Sequence, residues 1–345
     1  MNSRILTIVI PTYNMEQYLH RCLDSLIVDG GHLDLLEVLV INDGSKDGSS
    51  LIAHGYQERY PELFRVIDKE NGNYGSCVNR GLREAQGKYV KVLDADDRFF
   101  TEGLTVLLDN LCRQDADLVL TDYLTENLKG KVLSERQYHL VPGRTLDFDE
   151  VCLAKSLENF QMHGVCYKRR FLLSIGYRQT EGISYTDQEW VFMPMAAIRT
   201  VYYVPQLVYC YLRGRLGQTM DPSIVHRTLT QQLELTYINI KFFLQFRNNL
   251  SLNRKKFLMR QLRYSVKLAY KFGILFGDLK TEELMDFDNF LLTHEKYLYD
   301  YAGGLFFESY WKYQYVKEWR KAPKDFILPR MVRLILLLGR LPFVK

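Results

Sequence analysis

The first 125 residues alternate between short apolar runs and segments with helical spacing. Leu6-Thr7-Ile8-Val9-Ile10, Val38-Leu39-Val40-Ile41, Phe64-Arg65-Val66-Ile67, Tyr89 to Leu93 and Leu118-Val119-Leu120-Thr121 read as strands. Between them, Glu16 to Leu26, Ser49 to Tyr60, Gly75 to Ala85 and Thr101 to Cys112 read as helices; in the first of these Tyr18, Leu19, Cys22, Leu23 and Leu26 share one side. Strands alternating with helices predict βαβ units and a mostly parallel sheet covered on both faces. Ligands of such sheets bind beyond the carboxyl ends of the strands. That rule puts Pro11 to Asn14, Asp43 to Ser45, Asn71 to Gly75 and Asp94 to Asp97 along one rim.

Residues 126 to 215 are less regular. Strand-like pieces (Val132-Leu133, Gly164 to Tyr167, Val201 to Val204, Leu207 to Leu212) mix with helical ones (Asp147 to Leu157, Asp187 to Ile198). From about His226 the pattern is mostly helical, over Thr228 to Phe246, Arg254 to Phe276 and Thr281 to Leu292. A boundary at Asp221-Pro222 follows, with residues 1–221 as one domain (halves 1–125 and 126–221) and 222–345 as a helical region. A length of 345 residues and 47% hydrophobic residues suit two folded domains.

Charge sharpens this division. From His226 onward there are 21 Lys+Arg and 11 Asp+Glu, a balance of +10; residues 1 to 225 hold 24 and 30, a balance of −6. The acidic part can hold a cation, and the basic part can face something anionic. The basic charge is spread over mixed helices without a nucleic-acid motif, so nucleic acid is not the expected partner. The segment Phe326 to Phe343 carries Leu334 to Leu338 among Arg330, Arg333 and Arg340, which fits a helix lying in an anionic membrane interface. A helix packed on the first domain fits equally. The N-terminal apolar run ends at Pro11 without a cleavage site, and no stretch approaches the roughly 20 apolar residues of a membrane span. The six cysteines form no CxxC pair and read as reduced core residues. The expected location is the cytoplasm, peripheral on the inner face of the cell membrane.

The candidate chemistry begins at Asp94-Ala95-Asp96-Asp97. Asp94 and Asp96, one residue apart at a strand end, can both reach one hard divalent cation, Mn²⁺ or Mg²⁺. A solvated turn before a helix explains the same residues. Asp43, also just past a buried strand, can accept an N–H from a base or belong to a simple turn, with Asp47 or Ser49 as helix cap. Around Glu70-Asn71-Gly72-Asn73-Tyr74-Gly75 the glycines allow close backbone approach, and a helix N-terminus follows. Neither a phosphate loop ending Gly-Lys-Ser/Thr nor GxGxxG is present. Tyr13 could frame a flat base, or Pro11-Thr12-Tyr13-Asn14 could be a turn only.

Taken in order and spacing, Pro11-Thr12-Tyr13-Asn14, Asp43-Gly44-Ser45-Lys46-Asp47-Gly48, Glu70-Asn71-Gly72 with Asn79, and Asp94-Ala95-Asp96-Asp97 resemble glycosyltransferase family 2. The resemblance spans roughly residues 5 to 215. It implies a GT-A fold (Rossmann-like, α/β, with a mostly parallel sheet flanked by helices) and a nucleotide-diphosphate sugar donor, usually a UDP-sugar. It also implies Thr12, Tyr13 and Asp43 around the nucleoside, with Pro11, Asn14, Gly44, Asn71, Gly75, Asn79 and Ala95 on the same nucleotide-sugar site. Asp94 would touch ribose or sugar, and Asp96 would hold the metal. The family's acidic pair at a helix start matches Thr186-Asp187, where Thr186 departs from the usual glutamate. By resemblance Asp187 is the general base, removing the acceptor hydroxyl's proton in an inverting displacement. Asp187 also suits a helix cap.

Val78 stands where an arginine often precedes Asn79, and the Gln-x-x-Arg-Trp signature of processive synthases is absent. Transfer of one or a few sugars to a glycan or lipid-linked acceptor is expected. Arg213 and Arg215 could close over the diphosphate or be solvated loop residues. His163 and His226 read as structural or surface histidines; the aromatics of Tyr297 to Trp319 suit sugar stacking or an interfacial belt, and helix-packing core better than either. Two other readings compete. A sugar-phosphate nucleotidyltransferase lacks support because the 11–14 loop has no basic residue. A scaffold that binds nucleotide-sugar without catalysis would explain Thr186 but not the retained Asp94, Asp96 and Asp187.

Overall fold

The computed structural model describes residues 4–158, 160–215, 217–218, 222–276, 281–305 and 314–327. The chain divides into two compact units, Met1–Arg215 with Ser251–Arg254, and Leu216–Leu250 with Lys255–Lys345. The first closes a few residues before the boundary expected at Asp221-Pro222.

In the first unit, β1 (Leu6–Thr12), β2 (Leu36–Asn42), β3 (Phe64–Asp68) and β4 (Tyr89–Val92) form the predicted parallel half, in the order β3-β2-β1-β4. The runs of β1, β2 and β4 are buried because helices cover both faces of such a sheet, while β3, at its edge, buries only Phe64. α1 (Glu16–Asp24) contributes Leu19, Cys22 and Leu23 to the core. α2 (Ser49–Arg59) follows β2, and α3 (Asn73–Glu84) follows β3. A Cβ on Gly81 of α3 would lie 2.3 Å from Val9 Cγ1, so a glycine is what lets this helix reach the sheet. The two-residue β5 (Arg98–Phe99) precedes α4 (Thr101–Arg113), which buries Leu104, Leu107, Leu108 and Leu111.

The second half of the sheet is mixed rather than parallel. β6 (Leu118–Asn127), β7 (Val132–Arg136), β8 (Thr145–Asp147), β9 (Val165–Lys168) and β10 (Thr200–Arg213) extend the order as β4-β9-β6-β10-β5. β9 runs antiparallel to both β4 and β6, β10 is parallel to β6, and β7 and β8 pair antiparallel with β6 and β10.

Three expectations change here. The strand pieces 201–204 and 207–212 are one 14-residue strand, with register shifts between Val204 and Leu207 and between Leu207 and Tyr209. Pro205, lacking an N–H, interrupts the ladder between the two apolar runs. The helix expected over 147–157 is only α5 (Phe148–Val151) and a 3₁₀ turn, Lys155–Leu157. The helix expected over 187–198 is only α7 (Asp187–Trp190) and a 3₁₀ turn, Pro194–Ala196, because Pro194 cannot donate within a continuing helix. Between them, α6 (Arg169–Ser174) follows β9 directly.

The second unit contains α8 (Pro222–Phe246), α9 (Leu252–Phe276) from Lys255 on, α10 (Thr281–His294), α11 (Lys296–Ala302) and α12 (Gln314–Lys321). Its core includes Phe257, Leu262, Val266, Phe272, Phe287 and Trp319. Arg320 joins three of the helices: it lies 3.6 Å over the Tyr299 ring, pairs with Asp288 at 2.6 Å and donates to Tyr270 Oη at 3.2 Å. Tyr315 and Trp319 are core, as the sequence reading favoured, while Tyr297 and Tyr301 stack on each other with the Arg263 guanidinium over both rings. Among the described residues no helix is long and apolar enough to cross a membrane. Most of the 326–343 segment, and the side chain of His226, lie outside the described residues.

Candidate active site

β4 runs into a tight turn closed by a bond from Asp97 N to Asp94 O, 2.9 Å. The turn gathers three carboxylates, Asp94, Asp96 and Asp97, whose candidate ligand oxygens lie within 4.8 Å of one another. Asp97 was not singled out from the sequence, and its environment differs from that of the other two. It is fully buried, and its oxygens accept from Tyr209 Oη at 2.6 Å and Leu212 N at 2.7 Å, which ties the turn to β10. Tyr209 Oη also accepts from Asp94 N at 3.2 Å. Asp94 is half-buried and accepts from Tyr74 Oη at 2.9 Å. Lost solvation, and next the Asp96 charge, push its carboxyl up to about 7.

Asp96 is paired with Arg215, whose guanidinium also lies 5.6 Å from the Tyr18 ring centroid. Arg21 donates to the Asp96 carbonyl at 3.5 Å. Of the two arginines the sequence offered, Arg215 meets the aspartates, and Arg213 is exposed. The donor set is all oxygen, clustered and mutually repelling. Those are properties a hard divalent cation matches, since it would offset the repulsion that raises Asp94.

The ends of β1 and β2 form the neighbouring part of the rim. Asp43 is buried and pairs with Lys69; its Oδ1 also accepts from Gly72 N at 3.0 Å. Asn71, exposed, donates its carboxamide to the Asp43 carbonyl at 3.0 Å. Lys69 further binds Ser76 Oγ at 2.9 Å. Sequence reading missed Lys69, although a lone cation at the end of β3 was the available signal. Gly44 has φ +72°, a left-handed conformation suited to glycine.

Pro11 lies opposite Ile41 in the β1–β2 register. The Thr12 hydroxyl bonds back to Ile10 O at 3.1 Å, and Tyr13 is 44% exposed, leaving its ring available to a flat ligand. Asn14 receives Lys46 N at 2.8 Å and donates its own N–H to Ser45 Oγ at 3.1 Å. Asp47, one residue before the Gly48 N-cap, accepts from Ser49 N, the first residue of α2, at 3.0 Å. Ala95 is buried inside the aspartate turn.

Two residues expected around the nucleotide also pack against a distant loop. Gly75 and Asn79 are one helical turn apart on α3 and face the segment 179–181. A Cβ on Gly75 would sit 1.9 Å from Thr180 O. The Asn79 carboxamide donates to Gln179 O and Glu181 Oε1, both at 2.8 Å, and accepts from Gln179 N at 2.8 Å. The spacing that drew attention to this helix therefore serves helix–loop docking at these positions.

That docked segment leads to Asp187, the first residue of α7. Asp187 is solvent-accessible but surrounded by protein, and lost solvation pushes it up to about 6. Its charge acts on Tyr74 and Asp94, so the candidate base and the aspartate turn share one electrostatic environment. Two residues on, Glu189 is fully buried and accepts from Thr180 N at 2.7 Å and Thr180 Oγ1 at 2.6 Å. Glu189 was missed because nothing local in the sequence distinguishes a buried loop anchor from an exposed helix acid. His163, as expected, is structural. It is buried, stacked on Tyr211 at 4.5 Å, and pushed down to about 3 by burial and then by the Lys91 charge.

The mixed α/β sheet with acidic turns at its strand ends has the GT-A fold. Residues 7–170 match the model of glycosyl transferase family 2. Crystalline TarS 1–349 of S. aureus, in complex with UDP-GlcNAc, superposes with a TM-score of 0.65 at 18% identity over 94% of each chain. Among curated relatives, "Uncharacterized glycosyltransferase MG025 homolog" of Mycoplasma pneumoniae is 41% identical over 97 residues, 28% of this chain and 32% of that protein. "Glycosyltransferase GlyA" of Streptococcus pneumoniae is 28% identical over 235 residues, 64% of this chain and 32% of that protein. The chain thus spans about a third of the length of these two relatives.

Proposed function

We propose that this chain transfers a sugar from a UDP-sugar to a hydroxyl group of a glycan or lipid-linked acceptor, with inversion at the anomeric carbon. The observation that carries this reading is the shared environment of Asp187 and the Asp94–Asp97 turn: a raised, solvent-accessible carboxyl beside a cluster of oxygen ligands. UDP is favoured as the first nucleotide to test because the TarS 1–349 domain has been crystallised with UDP-GlcNAc and with UDP.

In this reading Tyr13 offers its exposed ring to the uracil, and Asp43, steadied by Lys69 and Gly72 N, accepts a base N–H. Asp94 and Asp96 would hold Mn²⁺ or Mg²⁺, which when bound stabilises negative charge on the diphosphate. Arg215 pairs with Asp96 and reaches the same place, so it can add its charge to the departing diphosphate. Asp187 removes the acceptor hydroxyl's proton as that oxygen bonds to the anomeric carbon. The bond from that carbon to the diphosphate oxygen breaks in the same displacement. One base and one displacement give inversion. The basic helical unit, with six Lys and Arg and no acid in α9 from Lys255 on, suits docking on an anionic membrane face where lipid-linked acceptors reside.

The decisive experiment incubates the protein with a panel of nucleotide sugars and Mn²⁺ and follows release of free nucleotide diphosphate. Slow hydrolysis of one donor, abolished by EDTA and by Asp96→Ala, is the expected result. Pyrophosphate release from UTP and a sugar phosphate would replace this reading with nucleotidyl transfer. Tight donor binding without turnover, even with acceptor extracts added, would leave a scaffold.

A further inference from the structure

Beneath the aspartate turn lies a charge that the chemistry above does not use. Lys91, on β4, is fully buried, and no carboxylate pairs with it among the described residues. Its ammonium donates to His163 O at 2.6 Å and Val165 O at 3.1 Å, and lies 5.6 and 5.8 Å from the Tyr209 and Phe99 ring centroids. Burial pushes this group down to about 8. A buried ammonium without a counter-charge costs stability, and a methionine would fill much the same space without that cost. The two carbonyl bonds, which a methionine would give up, offset part of that cost, so fold stability alone does not single out a lysine here.

Its contacts supply a reason for one. Both routes out of Lys91 end on the aspartate turn. The first passes through Tyr209, whose hydroxyl donates to Asp97 at 2.6 Å and accepts from Asp94 N at 3.2 Å. A cation at the ring face draws on the π electrons and makes the phenol a stronger donor to Asp97. The second passes through the 3₁₀ turn Met162–Gly164, whose His163 carbonyl Lys91 holds; Met162 Sδ meets Tyr74 Oη at 3.4 Å, and Tyr74 donates to Asp94 at 2.9 Å. His163, between these routes, is tilted against Tyr209 and stacked on Tyr211; it is neutral and adds no opposing charge.

We propose that Lys91 is a positioning residue that, through Tyr209 and the Met162–Gly164 turn, fixes the Asp94–Asp97 turn in the geometry that presents Asp94 and Asp96 to a cation and diphosphate. Only the last clause rests on the transferase reading; the hold on the turn does not.

The test uses the full chain with Lys91→Met, Tyr209→Phe and the double variant. Three measurements are made: thermal midpoint, hydrogen exchange by mass spectrometry without ligand, and Mn²⁺ affinity in the presence of UDP from the free-Mn²⁺ EPR signal. Lys91→Met is expected to keep or raise the midpoint. It should nonetheless exchange about fivefold faster over peptides spanning 93–99 and 208–213, with 36–42 unchanged. Mn²⁺ should bind it about tenfold more weakly, the scale seen when the support of a metal ligand is lost. The double variant should fall within about twofold of Tyr209→Phe, because the two residues act along one route. Wild-type exchange and Mn²⁺ affinity in Lys91→Met, or losses that merely follow a lower midpoint, would overturn the proposal. If Lys91→Met does not fold, Tyr209→Phe decides alone, since it keeps the ring over the ammonium and deletes only the hydroxyl; unchanged exchange at 93–99 then overturns it. Failure of the wild type to bind Mn²⁺ with UDP would instead end the transferase reading, while the exchange comparison still rules on Lys91.

Discussion

Asp43 and Asp187 are carboxylates of the same unit held by different means. Asp43 sits one residue past a fully buried parallel strand, and its partners Lys69, Asn71 and Gly72 follow the neighbouring strand. Asp187 opens a four-residue helix, and the bonds that place that helix come from far along the chain, by way of Glu189, Thr180 and the Gly75–Asn79 face of α3. The first arrangement inherits its precision from sheet pairing, the second from side-chain bonds that single substitutions can remove. Binding on one side and chemistry on the other should therefore fail separately.

The largest expected effect is at Asp187. Asp187→Asn should lower turnover about a thousandfold, within the range for losing a general base, while UDP affinity stays as in the wild type. Steady-state kinetics with calorimetric UDP titration would check this, and retained turnover would sink the base assignment. With the carboxyl raised to about 6, turnover of the wild type should fall about tenfold per pH unit below that value and level off above it.

Next comes Asp43→Asn, which leaves the Lys69 ammonium without its partner. UDP affinity should fall about tenfold, with turnover at saturating donor little changed, the mirror image of Asp187→Asn. If both variants lost affinity and turnover together, the separation of the two sides would be wrong.

Gly75→Ala probes the connection between them. A methyl 1.9 Å from Thr180 O must push the 179–181 segment away, an overpacking cost of about 1–3 kcal/mol. For a unit of this size that lowers the midpoint by roughly 2–12 °C. Turnover should fall more than UDP affinity, because the displaced segment carries α7.

The smallest effect concerns Asp187 and stability. Its folded carboxyl holds a proton more tightly than the unfolded chain does. It therefore contributes stability below a pH of about 4 and loses that contribution as pH rises to about 6. Asp187→Asn should melt about 1–2 °C higher than wild type at pH 7.5 and show no such gain at pH 4. Solvent access to the carboxyl keeps the difference small. Equal gains at both values would show that the charge is not what costs stability.

The same contrast explains what could be read from the sequence. β1 to β4 and the positions of Asp43, Asp94 and Asp96 were legible because a buried parallel strand writes an unbroken apolar run and its end marks the rim. Gly75 and Asn79 were legible as special but not in their use, since a glycine that admits a ligand and one that admits a carbonyl look alike. Lys69, Asp97 and Glu189 were missed because their partners lie 26, 115 and 9 residues away and only the fold brings them together. The helix over 187–198 failed at Pro194, where apolar spacing outweighed a visible helix breaker. The antiparallel insertion of β9 between β4 and β6 leaves no local trace, since a four-residue apolar strand reads the same in either direction.

The interruption at Pro205 has a consequence for how this chain can change. Opposite Thr121 stands Val204, yet opposite Tyr123 stands Tyr209, so β10 spends three more residues than β6 over the same span. Side chains alternate along a strand, so removing a single residue there would turn Tyr209 to the other face and strip Asp97 of its phenol. The length of this detour is thus under tighter constraint than its composition: residues within it can be exchanged, but insertions and deletions there would dismantle the acidic turn from a distance.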